Sequence, residues 1–109
     1  MPTALKVLGQ VVPSAASLTT LYTVPASTST VCSSLVVSNS SATATTFRIA
    51  VRPAGAAIDP KHYLYYDVPI SGNDTFVATI GISLATTDVV SVYATLATLS
   101  FNLFGQENT

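Results

Sequence analysis

Ionic side chains are nearly missing from this chain: four Lys and Arg and five Asp and Glu stand among 109 residues, a share of 8% against roughly 25% in an ordinary soluble domain. The net charge of -1 leaves no basic face to neutralise phosphates, which excludes nucleic acid as the expected partner. The single cysteine, Cys32, excludes an internal disulfide. Together with the single histidine, His62, it falls short of the four ligands of a closed zinc site, so no metal is expected. Tryptophan is absent, and with it the largest aromatic face for stacking on sugars. Glycine-rich phosphate loops and a G-x-S-x-G nucleophile elbow are absent too, and no cofactor or small-molecule substrate is expected.

Long apolar runs are also lacking. The longest, residues 77–85, is interrupted by Thr79, Gly81 and Ser83, whereas a spanning helix needs roughly 18 continuous apolar residues; no membrane partner is expected. The N-terminus has one lysine and an apolar run broken by Gly9 and Gln10, unlike a signal peptide, so the chain is expected to be unprocessed. A chain of this length builds one core, and residues 1–109 are read as one domain. Residues 1–13, set off by Pro13 and the Ser-Ala-Ala-Ser segment after it, are expected to form an N-terminal arm or an edge strand.

What the sequence does have is alternation. Phe47, Ile49 and Val51 alternate with Arg48, Ala50 and Arg52, a period of two that places large apolar groups on one strand face and both arginines on the other. The same pattern is read in residues 30–37, in Phe76, Ala78 and Ile80, in Val90 and Val92, and in Leu99, Phe101 and Leu103. Turn signals separate these runs, among them Pro53-Ala54-Gly55, Asp59-Pro60 and Ser71-Gly72-Asn73-Asp74. The rhythm predicts an all-β, antiparallel β-sandwich or jelly roll of about eight short strands, its core built on Phe47, Ile49, Phe76, Ile80, Val90, Leu99 and Phe101. The end of the chain, Gly105-Gln106-Glu107-Asn108-Thr109, reads as a polar tail.

Ser and Thr, 29 in all, fill positions that a free-standing sandwich usually gives to Lys and Glu. Charged side chains keep sheet edges from pairing with other chains, so a strand-rich chain without them is expected to have neighbours covering its edges, in a homo-oligomer or a larger assembly. Asp59 and His62, three apart, raise the thought of a hydrolase, but no nucleophile is paired with them by spacing, and His62 is read as a loop or interface residue. No catalytic residue is expected. Asp67, Asp74 and Asp88 lack the local spacing of a calcium loop and are read as solvated turn residues. Cys32 lacks the electropositive setting of a reactive thiol. Tyr63, Tyr65 and Tyr66 form the one aromatic concentration, with Tyr63 and Tyr65 expected on one strand face and Tyr66 on the other. Partner contact and simple packing both suit them.

Val7-Leu8-Gly9-Gln10, Leu18-Thr19-Thr20-Leu21-Tyr22-Thr23-Val24-Pro25, Ser33-Ser34-Leu35-Val36-Val37, Phe47-Arg48-Ile49-Ala50-Val51-Arg52-Pro53-Ala54-Gly55 and Lys61-His62-Tyr63-Leu64-Tyr65-Tyr66-Asp67 together resemble small structural virion proteins of tailed bacteriophages, over nearly the whole chain. The resemblance implies a non-enzymatic particle component made in the host cytoplasm. Its expected role is decoration or cement on the capsid exterior, bridging copies of the major capsid protein; the alternative is a tail, neck, baseplate or fibre subunit contacting other virion proteins. A carbohydrate-binding sandwich using the tyrosines is the different-class rival. The expected interface residues are Arg48, Arg52, His62, Tyr63, Tyr65 and Tyr66, with the two arginines meeting acidic groups on a neighbour.

Overall fold

A computed structural model describes residues 3–109, so the first two residues of the expected arm lie outside the described part. Nine strands follow one another: β1 (Thr3–Val11), β2 (Thr19–Thr23), β3 (Ser29–Asn39), β4 (Thr45–Arg52), β5 (Tyr63–Ile70), β6 (Thr75–Ala78), β7 (Ile82–Leu84), β8 (Val89–Ala94) and β9 (Leu99–Asn108). Two 3-10 turns, Pro53–Gly55 and Pro60–His62, sit between β4 and β5. One sheet has the order β1-β9-β3-β6, with β7 also paired to β3; the other has the order β2-β8-β4-β5. Every pairing is antiparallel.

Strands β6 and β7 lie end to end along β3, facing residues 35–38 and 30–32. They amount to one strand broken at residues 79–81, where three residues stand opposite Ser33 and Ser34. Counted so, eight strands form two four-stranded sheets in the double Greek-key order of a jelly roll. The all-β sandwich predicted from the alternation is therefore the fold.

The core lies between the sheets. Phe47 and Ile49 from β4, Val90 and Val92 from β8, Leu35 and Val37 from β3, and Leu99, Phe101 and Leu103 from β9 are all buried. Phe47 sits at its centre, its ring 5.1 Å from that of Phe76 and 6.2 Å from that of Phe101, in tilted and edge-on contacts that suit aromatic quadrupoles. Each such side chain stabilises the fold by roughly 1.5–3 kcal/mol through removal from water.

Most departures from simple alternation have one cause, the β-bulge, which inserts a residue and reverses the faces beyond it. In β3 the register against β9 slips between Cys32 and Ser34. Thr30 and Cys32 therefore point inward before the slip, and Leu35 and Val37 after it, so the single alternation read through residues 30–37 is two half-runs out of phase. A slip in β2 between Thr20 and Tyr22 lets Leu21 and Tyr22 both be buried. Ile80, expected in the core, falls in the break between β6 and β7 and is 40% exposed. The expected polar tail is instead the end of β9: residues 105–108 are held in ladders on both sides, by β1 and β3. Backbone pairing does not ask for apolar side chains, which is why composition misread it.

Candidate functional site

The predicted interface residues sit on β4, on β5 and in the turn before β5, and two bulges in β5 decide which of them meet. Ala50 pairs with Tyr63 but the adjacent Ile49 pairs with Tyr65, leaving Leu64 as an extra residue. Tyr65 therefore turns inward against Phe76, ring centres 5.4 Å apart, while Tyr63 meets Tyr66 edge-on at 4.9 Å. This corrects the expectation that Tyr63 and Tyr65 share a face opposite Tyr66. A strict period of two held only if β5 had no bulge.

The second slip lies between Phe47 and Ile49, whose partners are Val68 and Tyr65. Two residues of β5, Tyr66 and Asp67, thus stand opposite Arg48. Asp67 adopts φ 51, a left-handed conformation that Asp tolerates better than most residues. Its carboxylate accepts hydrogen bonds from Arg48 Nε at 2.6 Å and Nη2 at 3.3 Å. The guanidinium lies 4.2 Å from the centre of the Tyr66 ring and 4.3 Å from that of Tyr93. Tyr93 is the direct cross-strand partner of Arg48 on β8. The hydrogen bond to Asp67 raises the Arg48 pKa above its ordinary value, and so its charge is fixed across the accessible pH range. The result is a plate of three aromatic rings and one guanidinium on the outer face of the β2-β8-β4-β5 sheet.

Arg52 lies further along β4. It donates from Nε to Ser91 Oγ at 3.1 Å and from Nη1 to the Ala56 carbonyl at 3.1 Å, which ties the loop after Pro53–Gly55 to the sheet. His62 is buried at the end of the second 3-10 turn. The Asp59 backbone N–H donates to its Nδ1 at 3.1 Å, and the Asp59 carboxylate accepts from the Lys61 N–H at 3.2 Å. The Asp59–His62 spacing is thus a reciprocal cap for a turn. Asp67, Asp74 and Asp88 do not share a centre: Asp74 accepts from Thr75 N–H, and Asp88 from the N–H groups of Ala54 and Ala85. Among the described residues no group of three or more His, Cys, Asp or Glu gathers as metal ligands would.

Beside the plate, Pro60, Tyr63 and Tyr66 line an open cleft of about 390 Å³. A larger groove of about 470 Å³ lies on the other sheet, lined by Leu5, Val7, Val31 and Phe104 together with Ser33 and Gln106. Sequence reading missed Tyr93 and Asp67 as parts of the plate and missed this groove altogether. Only the strand order β8-β4-β5 and the bulge could reveal the first; the run Leu5-Lys6-Val7 was the available sign of the second.

Tyr22 bridges the two sheets. Its hydroxyl bonds Thr30 Oγ1 at 2.8 Å and donates to Glu107, whose other carboxylate oxygen accepts from Lys6 at 3.1 Å. Burial, reinforced by the Glu107 hydrogen bond, pushes the Tyr22 pKa up to about 12. The same hydrogen bond holds the Glu107 carboxyl below its usual range. Burial alone pushes the Cys32 thiol up to about 11, which leaves it protonated and unreactive at neutral pH. No family model, no curated protein and no solved structure matches this chain.

Proposed function

We propose that this chain is a non-enzymatic structural protein of a bacteriophage particle, and that it decorates and cements the capsid exterior by bridging neighbouring capsid subunits. The observation that carries the reading is where the few ionic groups go. Lys6 pairs with Glu107 and Arg48 with Asp67. Asp59, Asp74 and Asp88 accept backbone N–H groups, and Arg52 is bonded to Ser91 and Ala56. Little net charge is left to hold neighbours away, while Leu5, Val7, Val31, Leu64, Tyr66 and Val77 stand exposed on the two sheets. Surfaces of this kind suit close packing against other subunits. The jelly-roll strand order adds an analogy at the level of fold alone, since that architecture recurs in viral capsid and lectin domains.

The contacts assigned to the capsid are the plate of Arg48, Tyr63 and Tyr66, with Arg52 beside it. Aromatic and arginine side chains at an interface centre contribute disproportionately to binding. His62 and Tyr65 point inward and serve the patch by holding its turn and strand. Immunogold labelling of purified particles tests the placement: gold over the head supports decoration, and gold confined to the tail replaces it with the tail-subunit reading. A second reading, a carbohydrate-binding module, is favoured only by the cleft of Pro60, Tyr63 and Tyr66. Binding to a glycan array that is lost on Tyr66→Ala would establish it, and a blank array removes it.

A further inference from the structure

The two sheets have four edges, and three are blunted. Strand β5 carries two bulges, the left-handed Asp67, and Pro69, which has no N–H to offer. The edge formed by β6 and β7 is four and three residues long and interrupted. Strand β2 lies beside β1 where the two sheets meet: a Cβ on Gly9 would fall 2.2 Å from the Leu21 carbonyl oxygen. Bulges, proline, shortness, charged side chains and cover are the known means of preventing edge pairing.

Residues 3–7 of β1 carry only one of them, the charge of Lys6; the bulge of β1 lies beyond this segment, between Val7 and Gly9. Among the described residues β1 pairs with β9 alone, so the backbone groups on its other side lack a strand partner. Its one charge, Lys6, is paired with Glu107 on β9 and is 47% exposed. Leu5 is 81% exposed and Val7 48%, and both line the groove with Val31 and Phe104.

We infer that this edge pairs antiparallel with the same edge of a second copy across a two-fold axis centred on Leu5, extending the β1-β9-β3 sheet from one copy into the next. The occupant follows from charge and register. The net charge of -1 sets up almost no repulsion between copies. A two-fold axis perpendicular to the sheet keeps outer faces together, so residues pair with partners an even number of positions away. Centring on Leu5 uses the whole segment: Leu5 meets Leu5, Thr3 meets Val7, and Lys6 meets Ala4. Centring on Lys6 would set like charges directly opposite each other, which destabilises a strand pair. Centring on Val7 would draw in Gly9, where β2 already stands. Leu5 of each copy then covers the apolar groove at the seam. Phage placement plays no part in this inference, and purified protein alone tests it.

Sedimentation of the purified chain across a concentration series is expected to show a monomer-to-dimer shift, abolished by Leu5→Lys with circular dichroism unchanged, since the side chain it replaces is exposed. Register is read by cysteine pairing under oxidised glutathione; the native Cys32 is only 1% exposed. Residues directly opposite lie about 4.5–5.5 Å apart between Cα atoms, within disulfide reach, so Leu5→Cys is expected to give a covalent dimer. Val7→Cys, displaced about 13 Å from its copy at this register, is expected to give none. A chain that stays monomeric at every concentration overturns the inference. Equal cross-linking of both variants overturns the register, and a β1 that pairs with a different protein while the chain remains a monomer overturns the second copy as occupant.

Discussion

Phe47 shows how much one side chain decides. Fully buried between the two sheets and touching Phe76 and Phe101, it leaves a cavity when truncated, and Phe47→Ala is expected to lower stability by about 3–5 kcal/mol in urea unfolding. The titrating residues set a pH window with a definite sign on each side. Glu107 has a folded pKa lowered from 4.5, so its contribution is present above the unfolded value and is lost as pH falls through the folded one. Tyr22 and Cys32 have raised pKa values, about 12 and about 11 against 10.0 and 9.0. Their neutral forms are favoured by folding, so their contribution is complete below pH 9 and declines as pH rises through 9 to 12. Stability is therefore expected to fall at both ends of a pH series, with Glu107→Gln flattening the acid limb and Cys32→Ala weakening the onset of the alkaline limb. Buried phenylalanines and valines, and the inertness of Cys32, were legible from alternation and neighbours. The Tyr22-Glu107-Lys6 chain was not, because its members lie 85 and 101 positions apart in sequence and meet only once both sheets are assembled.

At the scale of strands, bulges and close approaches govern what the alternation could not foretell. Gly105 lies where β9 passes β3 so closely that a Cβ would stand 2.3 Å from the Val31 carbonyl oxygen. The obstacle is backbone, which cannot swing aside; Gly105→Ala is expected to cost at least about 1–3 kcal/mol by overpacking, checked by thermal unfolding. Asp67 offers a cleaner separation of charge from backbone. Asp67→Asn keeps a residue that tolerates φ 51 and loses an ion pair whose members are 22% and 44% exposed, so a change of roughly 0–1 kcal/mol is expected. Asp67→Val adds the left-handed penalty of a β-branched residue, about 1–2 kcal/mol more. A period of two correctly marked β4, β8 and most of β9 because these central strands run straight through the core. It misplaced Tyr63 against Tyr65, the inward side of β3 and Ile80, since one inserted residue reverses every face beyond it and leaves no mark in composition.

Over the whole molecule, the scarcity of charge pairs with a strand order that, among the described residues, leaves one long edge open, and with outer faces that carry few ionic groups. That combination suits close neighbours, and in the proposed reading the plate around Arg48 is the surface that meets them. Removing one exposed ion pair costs a free chain little, so an effect of Arg48→Ala or Tyr66→Ala on particle assembly that exceeds its effect on folding marks a contact buried against a partner. Both variants are expected to fold with near-native unfolding curves and to incorporate into particles less well than the parent at physiological salt; normal incorporation of both removes the plate from the interface. The most direct test is the protein content of gradient-purified particles, measured by quantitative mass spectrometry with and without their tails. Many copies of this chain per particle are expected, retained on tailless heads. Particles that contain none contradict the proposed placement.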